Sequence, residues 1–253
     1  MLSTAMLKKP SFQLFDVRGG QCIYQPYSMF SRLPSSLSTT LRASENHGSA
    51  FLILLDLGFE KIHIQPFLDL ADYSMILAAY HHGVLRNPNI PEIATNRNIV
   101  QHQLLSLPRF EDIQSRGRET AMPLKNASLY EACRLTALLY AVMVTFPIPK
   151  SSQVRQTLLR DLKEVLVSIG MPEGRRELLE VRLWCLVLGG IASLGKVEME
   201  WYVEQTRIVV RLLELGSWKD FEAILTGFAW LECACNPGTV EFWIWTLLAN
   251  DKN

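Results

Sequence analysis

The sequence predicts an all-α fold, a single large and irregular helical domain of about eight or nine helices. Three observations predict it. Residues 152–169 repeat their apolar positions at helical spacing. No convincing run of alternating strand residues occurs. Leu183 to Gly195 holds thirteen residues without a charge. That run is too short to cross a bilayer, which needs about twenty apolar residues. It suits a helix enclosed on nearly all sides.

Taken in order, residues 1–48 read as an irregular lead-in. The stretch LPSSLSTTLRAS is serine-rich, and residues 1–44 carry five basic residues against one acid, Asp16. An organelle transit peptide shares that bias, but Pro10, Pro26 and Pro34 break any long amphipathic helix. The start MLSTAMLKKP lacks the apolar centre of a secretory signal. The helical domain is expected over 49–253. AFLILLDLGF is an apolar run closed by Gly58. A helix then runs to His81 and His82, with Gly83 as its stop. Residues 92–107 read as a further helix ended by Pro108, and 108–125, with charge, Gly and Pro but little period, as a surface loop.

Ser128 and Glu131 have the spacing of a capping box. The helix they open, LYEACRLTALLYAVMVTF, is apolar almost all round after Arg134 and stops at Pro147. Residues 152–169 place Val154, Leu158, Leu162, Val165 and Ile169 on one stripe, with Arg155, Asp161 and Lys163 off it. The central stretch, 178–203, contains Gly189 and Gly190. Inside a helix they call for a close-packed neighbouring backbone or a bend. Ile208 to Leu215 continues to Gly216. Ser217 and Asp220 then suggest a fresh cap, and Phe221, Ile224, Leu225 and Phe228 share a face. Asn236, Pro237 and Gly238 read as a turn before the closing VEFWIWTLL.

Hydrophobic residues make up 49% and charged residues 20%, a globular composition. Lys plus Arg equals Asp plus Glu at 25 each. A domain gripping DNA phosphates by itself would carry a basic excess, so direct nucleic-acid contact is not expected. The five cysteines, Cys22, Cys133, Cys185, Cys233 and Cys235, are irregularly spaced and read as reduced thiols, not as a zinc site. Neither a nucleophile elbow, nor a phosphate-binding loop, nor a dinucleotide fingerprint occurs. No enzyme activity, cofactor or metal is therefore expected. Asp69 and Asp72 form a D-x-x-D, which helical isoprenoid synthases use to hold magnesium, but the second metal-binding set of those enzymes is missing. Two carboxylates on a solvated helix face are the expected reading.

All six tryptophans fall between Trp184 and Trp245. Trp184, Trp201 and Trp230 are candidates to line a cavity for an apolar ligand, the alternative being plain core. Arg134 and Glu232 sit inside apolar segments, where a charge needs a partner. An ion pair between them is expected, and the two complete the candidate ligand-binding set.

Three segments, EACRLTALLYAVM (131–143), LWCLVLGGIAS followed by WYV (183–203), and FAWLECACNPGTVEFW (228–243), together resemble the fungal-specific transcription factor domain. This is the helical regulatory region of fungal zinc-cluster regulators, the group that includes sterol uptake control proteins. Weaker similarity reaches back to about Gly48. The resemblance implies a regulatory or effector domain, located in the nucleus first and the cytoplasm second. It would act through contacts with the transcription machinery or a related regulator, and through an apolar small molecule. The six cysteines of the family's zinc cluster are absent. A stand-alone interaction protein that titrates a related regulator is the second reading, and an isoprenoid-synthase-like enzyme the last.

Overall fold

A single turn of 3-10 helix, Ser49–Leu52, leads into the short α1, Ile53–Asp56, and Gly58 reverses the chain with a left-handed φ of 93°. These elements open the computed structural model, which describes residues 47–85, 89–109, 112, 124–172 and 174–248. The helices that follow are α2 (Lys61–His81), α3 (Ile90–Ser106), α4 (Leu124–Tyr140), α5 (Gln153–Ile169), α6 (Arg176–Ser193), α7 (Met199–Leu212), α8 (Trp218–Thr226) and α9 (Glu232–Leu248). Among the described residues the secondary structure is nine α-helices without a strand, so the chain is all-α. Most of the expected lead-in and most of the 108–125 loop lie outside the described residues.

Helix α6 is the centre. Every residue from Val181 to Gly190 is buried, and α4, α5, α7, α8, α9 and the 3-10 turn all pack against the helix. The two glycines explain how so many neighbours fit. A Cβ on Gly189 would stand 2.6 Å from Tyr202 Cζ, and one on Gly190 would stand 2.8 Å from Phe242 Cδ2. Aromatic rings therefore lie flush on the glycine backbone, where a neighbouring backbone or a bend was expected. Tyr202 reaches past Gly189 to donate its hydroxyl to the Leu159 carbonyl of α5, 3.1 Å away. Phe51 of the 3-10 turn stacks on Phe67 and meets Trp184 and Phe228 edge-on, each at 5.1 Å. Trp184 in turn stacks on Phe228 at 5.3 Å. Pairs in these geometries are worth about 1 kcal/mol beyond their burial.

Arg182, 2% exposed, fastens α5 to α6. Its guanidinium donates to the carbonyls of Leu166 (3.1 Å) and Gly170 (2.7 Å) and to Gln205 Oε1 (3.2 Å). The last carbonyls of a helix have no partner within it and form the negative end of its dipole, so this buried cation is held there without a carboxylate, through its two Nη groups while Nε makes no hydrogen bond.

Several local expectations need correction. Helix α4 begins at Leu124, so Ser128 lies inside the helix, and Glu131 turns to Arg134 instead of closing a capping box. Arg155, expected off the apolar stripe of α5, is buried and donates to the Ile148 carbonyl at 3.3 Å. Asn236, Pro237 and Gly238 form no turn. They occupy the second turn of α9, where a proline forfeits one backbone hydrogen bond. Asn236 accepts from Trp230 Nε1 at 3.1 Å and donates to Glu222 Oε1 at 2.8 Å, which ties that turn to α8. The cap at Ser217 forms as expected, its hydroxyl accepting from the Asp220 amide at 3.2 Å.

Candidate functional site

The five sequence-chosen residues do not converge. Trp184 is fully buried and spends its indole N–H on the Ala229 carbonyl at 3.3 Å. Trp230, 2% exposed, spends its own on Asn236. Trp201 is half-buried on α7, edge-on to Tyr202 at 4.9 Å, with Lys163 of α5 lying 5.5 Å from its ring centroid. Arg134 and Glu232 do not pair. Arg134 makes two hydrogen bonds to Glu131, one turn earlier on α4, with Nε to Oε2 at 2.8 Å and Nη2 to Oε1 at 2.6 Å. Glu232 is exposed at the start of α9. The correction has a simple cause: a carboxylate at i−3 on the same helix costs less ordering than one brought from a distant element.

The carboxylates of α2 are not on a solvated face. Asp69 is 2% exposed, accepting from Gln65 Nε2 at 2.9 Å and from Gln103 Nε2 of α3 at 2.8 Å. Burial raises its pKa, and the two amide donors hold the rise back. Asp72, one turn on, is pushed up to about 7 by burial and then by the charge of Asp69. Among the described residues no group of three His, Cys, Asp or Glu is placed to hold a metal ion. The arrangement is a polar seam between α2 and α3, each oxygen of Asp69 taking one amide hydrogen.

The feature that stands apart is α9. Its inner face is core: Cys235, Thr239, Phe242, Trp243 and Thr246 are buried, and Gly238 abuts Ile191 of α6. Its outer face is apolar as well. Cys233, Pro237, Val240, Ile244 and Leu247 follow one another at spacings of three or four residues, and all are exposed. Val240, Ile244 and Leu247 are 44%, 47% and 47% exposed, with Trp245 beside them at 49%. A surface helix ordinarily turns charged and polar residues to water. Between Glu232 and Leu248 the only charged residues are Glu232 and Glu241, both exposed. Contiguous exposed apolar surface is the chemistry that contact faces commonly use.

Compared with protein-family models, curated proteins and solved structures, the chain matches none. The stripe was within reach of the sequence, since its five positions are periodic. Periodicity alone, however, does not tell which face of an all-apolar helix is left without neighbours.

Proposed function

We propose that this chain is a regulatory domain of the fungal zinc-cluster type, acting through protein contacts made by the outer face of α9. The observation that carries the reading is the bare apolar stripe from Cys233 to Leu247, five exposed positions on one face of one helix. It is supported by the segments behind the resemblance, which fall on α4, on α6 with α7, and on the α8–α9 corner, all packed around one core. An apolar ligand is a second input. It would act only by binding one packing of the helices better than another, and Trp201, half-exposed beside Lys163, is the tryptophan of the three best placed to meet one.

The test is a reporter assay in which the full chain is tethered to a heterologous DNA-binding domain. Reporter output shifts from that of the tether alone, in either direction, and Ile244→Asp abolishes the shift while the variant stays folded. Output equal to that of the tether alone, or a shift that Ile244→Asp leaves intact, counts against the reading. In the second reading, a chain that titrates a related regulator, the same face serves. It is distinguished by co-purification with a zinc-cluster protein that Ile244→Asp prevents. The enzyme reading has no supporting observation, since both oxygens of Asp69 already accept amide hydrogens.

A further inference from the structure

The described chain begins at His47, and its place of entry bears on α9. The His47 ring hydrogen-bonds to the Thr226 backbone, and the Ala50 amide donates to the Gly227 carbonyl at 3.2 Å. Both acceptors stand at the end of α8, five and six residues before α9 starts. His47 therefore lies against the corner between α8 and α9.

That preceding segment has the complementary chemistry. Residues 1–46 hold five bases, Lys8, Lys9, Arg18, Arg32 and Arg42, against two acids, Asp16 and Glu45. The rest of the chain is left with 20 bases against 23 acids. The bases are interleaved with large apolar residues, among them Leu7, Phe15, Met29 and Phe30. The stripe on α9 offers apolar side chains, and the two charged residues of that helix, Glu232 and Glu241, are both acids. Its length, Cys233 to Leu247, is about 21 Å at helical rise, and 46 extended residues span several times that.

We infer that residues 1–46 are the occupant of the outer face of α9, a basic and apolar arm held in cis against an acidic and apolar helix. The inference rests on the reading of α9 as a contact face and adds its regulation. Joined covalently at the same corner, the arm competes at an effective concentration no free partner reaches. A partner gains access only by displacing it, or when the charge of the arm is reduced.

Cys233 stands at the head of the stripe and reports on this directly. Cys133, Cys185 and Cys235 are buried, so in the full-length Cys22→Ser protein the exposed Cys233 is the fast-reacting thiol. Its maleimide labelling rate is compared with that of the same protein in which the five bases of the arm are changed to Glu, over a range of protein concentrations. The expected result is labelling about tenfold slower with the native arm, independent of concentration. Any result in which the charge of the arm makes no difference overturns the inference, and protection that grows with protein concentration then names a second copy as the occupant. Equal labelling rates together with an Ile244-dependent reporter output would remove the arm alone. A reporter output that does not depend on Ile244 removes the contact face itself.

Discussion

Helices α6 and α9 each carry a long apolar run, Leu183–Ala192 in one and Phe242–Trp245 with Val240 and Leu247 in the other, yet the two are used in opposite ways. Every side of α6 is covered from Val181 to Gly190, and its glycines admit Tyr202 and Phe242 at ring-contact distance. One side of α9 packs on α6 and α7, and the other, from Cys233 to Leu247, meets solvent. The same kind of apolar run is therefore buried almost throughout in one helix and half exposed in the other. Position decides: α6 is walled by α4, α5, α7, α8, α9 and the 3-10 turn, whereas α9 lies against α6, α7 and α2 on its inner side.

Substitutions at the two helices should separate accordingly, and the largest effect belongs to Arg182 on α6. Arg182→Met leaves the buried Leu166 carbonyl and the part-buried Gly170 carbonyl without their donor. It should lower unfolding free energy by about 3 kcal/mol in a urea melt. Gly190→Ala forces a methyl group against Phe242 and should cost about 2 kcal/mol, with Phe242→Leu restoring part of the loss. If Gly190→Ala is neutral, the close ring contact that defines α6 is wrong.

The α2–α3 seam sharpens the contrast, being a buried place that is polar. Between its ordinary value of 3.8 and about 7, folded Asp72 keeps a proton that the unfolded chain has released. Stability should therefore fall as pH rises through that window. Asp72→Asn should flatten the fall, gaining about 2 kcal/mol over the parent at pH 8 and nothing at pH 3. A parent whose stability climbs over the same interval would contradict the burial of Asp72. The smallest effect is expected on the outer face of α9, where Ile244→Ser should change stability by no more than about 0.5 kcal/mol.

Much of this was legible in the sequence. The charge-free run announced α6, the 152–169 stripe announced α5, and Ser217 with Asp220 announced the start of α8. What could not be read depended on distant partners. The burial of Asp69 requires Gln103, 34 residues away on α3. The helical course of Asn236–Pro237–Gly238 requires Trp230 and Glu222, which hold the segment against its local preference for a turn. Arg134 is the opposite case. Its partner, Glu131, was three residues off and readable as an i, i+3 pair, while the more distant Glu232 drew the assignment.

The most direct measurement sets two matched substitutions side by side in the full chain, Val187→Ser on α6 and Ile244→Ser on α9, each followed by equilibrium urea unfolding. Val187 is fully buried and Ile244 is 47% exposed. The account predicts a loss of about 3 kcal/mol for the first and a loss within about 0.5 kcal/mol for the second. Equal losses would mean that the outer face of α9 belongs to the core and is not a surface for contact.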